Sequence, residues 1–315
     1  MRKPLGIAAA VAVAGILVAL LAGRRAEFAT AMGAAPAWIL VVAVALQVVA
    51  LVARSEAWHV CVQAAGGTLA RRRLYRAASM GYVGSLINGQ FGVAARIAAL
   101  RRSAPDQSPR VPALIAAELP ILTVEATLAA LTCFTLVGPL GLPWWVPLIC
   151  LAAMAGVAFG LRSVAERHRR GFWSGLAVLR SLEGRNWIVA LVLLAVFSQI
   201  ARNWLMLQAI GVDASVFDSI AVLIAMVTLS QLPVGPSVGA AAVVGVLGSH
   251  GVADAAAAGV LLTATGTVGA LSYAGWALAD RLRDARPGRR SRQRRREAKA
   301  WPLVAGVESG ASRSS

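Results

Sequence analysis

The sequence predicts an all-α polytopic membrane protein with about six transmembrane helices and two helical hairpins that break at membrane depth. Three observations carry that prediction. Of the 315 residues 58% are hydrophobic and only 14% are charged, with a mean hydropathy of +0.69, which is more apolar surface than a soluble domain of this size can bury. Six uninterrupted apolar runs, at 5–22, 36–53, 112–136, 144–161, 187–210 and 255–279, are long enough to cross roughly 30 Å of hydrocarbon. Two further stretches, 77–100 and 217–248, are apolar overall but broken by glycine, proline and polar residues.

The elements follow in order. The first run sits behind Arg2 and Lys3 and is followed by Arg24-Arg25 rather than by a small-residue cleavage site, so it is expected to stay as an uncleaved first helix. With the N-terminus in the cytoplasm, the second run delivers Arg54, Arg71, Arg72, Arg73 and Arg76 to the inside. The first broken stretch contains Asn88-Gly89-Gln90-Phe91-Gly92 and is followed by Arg101, Arg102 and Arg110. If it crossed the membrane once, these arginines would face outward, against the positive-inside bias. If it dips in and returns, they stay inside, as do the six arginines of 162–185.

The external segments are then 23–35, 137–143, 211–216 and 249–254, where Arg24 and Arg25 are the only basic residues. The same count makes the second broken stretch, with its Gln231-Leu232-Pro233-Val234-Gly235-Pro236-Ser237-Val238-Gly239 run, enter and leave from outside, so that the last span returns Arg281 to the cytoplasm. Each half reads span, span, hairpin, span with opposite orientation: half-repeats 1–138 and 139–281, an inverted-topology repeat. The alternative is eight full spans, two of them kinked, which hydropathy does not distinguish. Broken backbone at membrane depth persists only inside protein or beside a wet cavity. Such breaks in corresponding positions of two halves are the pattern of a binding site in inverted-repeat transporters.

Composition also excludes functions. The net charge of +17 lies between apolar spans and in the tail, not on an amphipathic soluble face, so nucleic-acid binding is not expected. The basic tail 282–315 is read as a disordered cytoplasmic segment on anionic lipid, an attraction of about 1 kcal/mol per charge. Cys61, Cys133 and Cys150 have no metal spacing and read as small hydrophobes. No P-loop, dinucleotide fingerprint or zinc motif is present, so neither metal nor cofactor is expected. Arginine outnumbers lysine 29 to 2, which with the alanine richness points to a GC-rich bacterial genome; with its apolar spans the chain is then expected in the bacterial inner membrane.

The run Asn88-Gly89-Gln90-Phe91-Gly92-Val93-Ala94-Ala95-Arg96 resembles the asparagine, glycine, arginine signature of the lysylphosphatidylglycerol synthase transmembrane region family, the flippase-like domain. The run from Leu232 to Gly239 resembles that family's second signature, a Pro/Gly-rich break before a helix. The resemblance covers roughly residues 5–281. Asn88, Gly92 and Arg96 match the first signature, Pro233, Pro236 and Gly239 the second, and Glu118 resembles the acidic residue early in the following helix. Val93 and Ala242 stand where the family carries acids, and Glu125 takes the place of an Asp about a turn beyond Glu118. Because the chain ends soon after its last span, the soluble aminoacyl-transferase domain of fused members is expected to be absent. The resemblance implies translocation of an anionic phospholipid or polyprenyl-linked head group, with no enzyme activity.

The candidate substrate-binding residues are Arg96, Asn88, Gly92, Arg202, Glu118, Glu125, Gln231, Pro233, Pro236, Ser237 and Gly239. Arg96 follows the first break, where a guanidinium can hold a phosphate bidentately; snorkelling to the interface is the alternative. Arg202 lies 15 residues into its run and, beside Trp204, reads equally as an interfacial anchor. Glu118 and Glu125 share a helix face that Pro120 loosens, and one of them is expected to pair with an arginine. Gln231, Ser237 and the other polar tip residues read mainly as partners of broken backbone. Ser237 also fits a nucleophile-elbow pattern with His250 and Asp254, but without the strand–turn–helix setting that motif needs. An intramembrane enzyme and a non-transporting scaffold remain the other functional classes.

Overall fold

The computed structural model describes residues 24–86, 89–168, 170–230, 238–248 and 251–285. Run 5–22, and with it the expected first helix, lies outside them. So do Asn88, Gln231, Pro233, Pro236, Ser237, His250 and nearly all of the basic tail. Every regular element among the described residues is helical. Contacts divide the chain into two units, Met1–Ala274 and Gly275–Ser315; the described part of the second, residues 275–285, is helical. The residues that build the site all belong to the first unit.

A short helix α1 (Arg25–Ala34) occupies the segment that the charge count assigned to an external loop. It leads into α2 (Ala37–Ala64), whose 28 residues rise about 42 Å. Pro36 opens α2 from extended backbone and Gly66 closes it at φ +93°. Gly67 N–H donates to Val62 O at 3.0 Å and Gly66 N–H to Gln63 O at 2.9 Å, the Schellman arrangement that only a residue tolerant of positive φ permits cheaply.

The first broken stretch folds into two helices, α3 (Arg71–Ser85) and α4 (Gly89–Ser103). Each has 15 residues and therefore about 22 Å of length, too short to cross hydrocarbon alone. They run antiparallel and close: a Cβ on Gly92 would meet Gly81 O at 2.8 Å and Ser85 Cβ at 2.9 Å. Their outer ends are clasped, Thr68 N–H donating to Gln107 O at 3.1 Å and Arg73 Nη1 to Gln107 Oε1 at 3.2 Å. The chain thus returns close to where it left.

The next span is interrupted. Helix α5 (Val111–Ala116) ends two residues before α6 (Leu119–Thr132), which opens with Pro120 in its first turn. Proline cannot donate to the preceding turn, so the loosening read from the sequence becomes a break at Ala117-Glu118. A 3₁₀ turn, Cys133–Leu136, and a short α7 (Val137–Leu140) follow. The second half begins with α8 (Val146–Arg167). The segment 162–185, expected as a loop, instead carries a 3₁₀ helix, Gly171–Arg180, packed so tightly on the α5–α6 break that a Cβ on Gly175 would meet Ala117 N at 2.7 Å. Arg180 donates to Ala165 O at 2.7 Å and His168 O at 3.0 Å, satisfying carbonyls that the end of α8 leaves open.

Helix α9 (Leu182–Ala209) has 28 residues, like α2, and begins with Ser181 capping Gly184 N–H at 3.1 Å. It also ends in a Schellman arrangement, with Gly211 at φ +87° and Val212 N–H on Leu207 O at 3.1 Å. The second broken stretch forms α10 (Val216–Ser230) and α11 (Val238–Leu247), which pack on each other, before the long α12 (Val252–Ala285). Val212 and Ala214 before α10 share an apolar cluster with Val246 and Leu247 at the end of α11.

Helices α2 and α9 pack side by side in opposite directions. Gln47 meets Arg202, Ala50 and Ala53 cluster with Ala195, and Glu56 lines one groove with Trp187. Each is followed by a glycine-closed end, two packed helices and another long helical stretch. Among the described residues five helical stretches are long and apolar enough to cross a membrane: Ala37–Ala64, Val111–Pro139, Val146–Arg167, Leu182–Ile210 and Val252–Asp284. They coincide with the five predicted runs that fall within the described residues.

Candidate functional site

The site grows from the polar residues of α2, an otherwise apolar span. Gln47, Arg54, Ser55 and Trp58 are each turned toward the protein rather than toward lipid, because each has a partner there. Arg54 was expected in a cytoplasmic loop after a span ending at residue 53. It lies instead on α2 well before the helix ends, and its Nη2 is 2.5 Å from Glu125 Oε1 on α6. Pairing lowers the cost of holding an arginine inside a span.

Glu118, at the α5–α6 break, pairs with Arg96 of the first hairpin. The guanidinium of Arg96 also lies over the indole of Trp58, 4.9 Å from the ring centroid, an arrangement worth about 0.5–2 kcal/mol depending on desolvation. The Arg96 and Glu118 side chains are 16% and 7% exposed, which rules out snorkelling into bulk water. Both glutamates singled out by the sequence therefore hold an arginine, where one was expected to. Glu118 Oε1 and Arg96 Nε remain buried without a hydrogen bond.

Gly92 places this arginine. Its missing side chain lets α4 close on Gly81 and Ser85, and a Cβ on Gly81 would itself meet Arg96 Cβ at 2.9 Å. Beside the two ion pairs runs a hydroxyl chain: Tyr273 donates to Ser55 Oγ at 3.1 Å, and Tyr82 donates to Leu51 O at 3.0 Å.

Toward the loop end of α2, Glu56 accepts hydrogen bonds from Arg71 Nε, at 2.8 Å, and from Tyr75. Burial first, and then the bond to Glu56, push the Tyr75 phenol up to about 12, which keeps it a donor. His59 lies on the same helix with Nδ1 3.6 Å from Glu56 Oε1.

A second polar station lies at Gln47, seven residues from Arg54 and about 10 Å farther along α2. Arg202 of α9 is 5% exposed, which removes the reading of an interfacial anchor. Its Nη1 donates to Gln47 Oε1 and its Nη2 lies 3.4 Å from Asn203 Oδ1. Arg202 Nε and Asn203 Nδ2 are buried with no partner. Among the described residues Arg202 has no carboxylate partner, unlike Arg54 and Arg96.

Gly239, the second-signature glycine, lies at the start of α11 against α12. A Cβ on the facing Gly259 would meet Gly239 O and Ala240 Cα at 2.5 Å. The structure thus brings Arg96, Gly92, Glu118 and Glu125 into one layer, sets Arg202 in a separate one, and uses Gly239 for hairpin packing.

The sequence reading missed Arg54, Gln47, Trp58 and the hydroxyls of Ser55, Tyr82 and Tyr273. Gln47 had a signal, since it is the lone amide in the 36–53 run. Trp58 had one also, four residues from Arg54 and hence on the same helix face.

Long apolar helices with arginines buried among them define a multi-pass, all-helical membrane protein. The profile described as Lysylphosphatidylglycerol synthase TM region matches residues 7–283, and the chain belongs to that family. No match was found among curated proteins or among solved structures.

Proposed function

We propose that this chain moves an anionic phospholipid or polyprenyl-linked head group across the bacterial inner membrane, with both termini in the cytoplasm and without catalysing a covalent reaction. One observation supports the reading: each broken stretch forms a pair of packed helices of 15 residues or fewer, short for the hydrocarbon, and as re-entrant hairpins they would leave helix ends at membrane depth. The first hairpin, read as re-entrant, dips from the arginine-rich side and the second from the other. Helix N-termini at the tips, α4 at Gly89 and α11 at Val238, favour negative charge.

Charged side chains inside spans cost about 2.5–3.5 kcal/mol each on insertion scales, so their retention argues for use. In this reading Arg96 exchanges Glu118 for a substrate oxyanion, and rocking of the α2 and α9 halves exposes the site to each face in turn. The family's name, with its lipid synthase, supports a lipid substrate. The basic tail holds the inner leaflet close.

The test uses the full chain in phosphatidylcholine proteoliposomes containing labelled phosphatidylglycerol, with leaflet-specific quenching of the label. Wild type is expected to move the label and Arg96→Ala to abolish the movement. Unchanged movement with Arg96→Ala, or none with wild type and any anionic lipid tried, overturns the reading.

A further inference from the structure

Each half presents an arginine from its long central span to the span after its hairpin, and the two halves differ in what that arginine meets. In the first half Arg54 of α2 meets Glu125, the fifteenth residue of the span that begins at Val111. In the second half Arg202 of α9 meets the fifteenth residue of the span that begins at Val252, and that residue is Gly266. A Cβ built on Gly266 finds one heavy atom within 4 Å, Arg202 Nη1 at 3.4 Å. The position that carries the counter-ion in one half carries no side chain in the other.

We infer that the notch between Arg202, Asn203, Gln47 and Gly266 binds the oxyanion of a ligand, a phosphate or carboxylate group, in the place that Glu125 fills in the first half. Three features make it a built site. Arg202 stays protonated under any physiological condition, so at 5% exposure its charge needs an anion that the described residues do not supply.

Two donors converge there unsatisfied, Arg202 Nε and Asn203 Nδ2, and each costs about 1–3 kcal/mol while unmade. Gly269, one turn from Gly266, admits Gln47: a Cβ there would meet Gln47 Cγ at 2.6 Å. Gln47 then fixes Nη1, leaving the Nε side of the guanidinium and the amide of Asn203 for the guest. Nearby hydroxyls are spent on their own helices, Ser198 on Leu194 O at 2.7 Å and Thr265 on Leu261 O at 2.8 Å.

The inference deepens the translocation reading by separating duties. Arg96, already neutralised by Glu118, is a station where a ligand must displace a carboxylate. Arg202 is the station where a ligand supplies the missing charge. A net charge of −1 on the guest completes the same balance as Arg54–Glu125. Only the lipid source of the oxyanion rests on translocation; the notch itself does not.

The experiment installs the missing carboxylate. Gly266→Asp places it against Arg202, and Gly266→Ala adds the Cβ alone. Full-length protein in phosphatidylcholine nanodiscs is titrated with phosphatidylglycerol and separately with soluble glycerol phosphate, and binding is read by native mass spectrometry and by the rise in unfolding temperature. Gly266→Asp is expected to keep or raise the unfolding temperature and to weaken binding on the order of tenfold or more, the factor of one lost charge-assisted hydrogen bond. Gly266→Ala should bind within about twofold of wild type, well inside a tenfold step. Arg202→Gln serves as the second variant and should lose the same binding.

Suppression by Gly266→Asp in either titration supports the notch, and the responding titrant names the source. If only glycerol phosphate responds, the site stands and the lipid reading fails. Binding unaffected by Gly266→Asp in both titrations, or lost equally in Gly266→Ala, overturns the inference.

Discussion

Replacing Glu118 by glutamine tests whether the Arg96 layer is an ion pair or two residues that merely pack. Glu118 is 5% exposed and the Arg96 side chain 16%, so little solvent screens the interaction. Removing one partner of a buried pair leaves an uncompensated charge and costs about 3–5 kcal/mol. Arg96→Met should cost a similar amount, since Glu118 is then stranded, and it also gives up the stack on Trp58, about 0.5–2 kcal/mol.

The double variant Glu118→Leu/Arg96→Met removes both charges at similar volume, and such exchanges are often neutral or stabilising by about 1–4 kcal/mol. The double-mutant cycle should therefore show strong non-additivity, with a coupling energy on the order of 3 kcal/mol. Denaturant titration in mixed micelles, with the slope held equal across the four proteins, reads it out. A Glu118→Gln loss below about 1 kcal/mol, the scale of an exposed pair, or additive single changes would refute the reasoning. Stability is the readout here, so the result does not depend on which ligand the protein moves.

Three further outcomes follow from the geometry. Gly92→Val should open the first hairpin, because its side chain would begin 2.8 Å from Gly81 O, at a cost of about 1–3 kcal/mol for overpacking; lost protection of α3 and α4 in hydrogen exchange checks it. In a background lacking Cys61, Cys133 and Cys150, cysteines at the exposed positions 68 and 106 should react with an impermeant reagent from the same side, and one at exposed Asp213 from the opposite side. Labelling of 68 and 106 from opposite sides would contradict the clasp between Thr68 and Gln107. Gly259→Leu should disrupt packing of α12 on α11, where backbone lies 2.5 Å from its Cβ position, lowering the unfolding temperature more than Gly245→Leu, whose surroundings are open.

Much of the fold was legible in the sequence. Run lengths gave the spans, since hydrocarbon thickness sets them, and the glycine- and amide-rich run inside 77–100 gave the parting of α3 from α4. Pro120 gave the weak point of its span. The reading erred where charge was paired rather than exposed. Arg54 was counted as a loop residue because an isolated arginine belongs in one, and only Glu125, 71 residues away, makes its place on α2 tenable. The segment 162–185 read as a loop for want of a helical period, yet Gly175 lets it lie flat on the α5–α6 break.

By itself the sequence determined which segments are apolar enough for the membrane and that the first broken stretch parts into two helices. Both depend on local composition, which is readable in one dimension. The tertiary structure alone decided which arginine meets which acid. Arg96 with Glu118 and Arg54 with Glu125 are partnerships between helices distant in sequence, and Arg202 faces Gly266 with no acid there. Electrostatic balance inside the bundle depends on distances of a few ångströms, and no pattern along the chain encodes them.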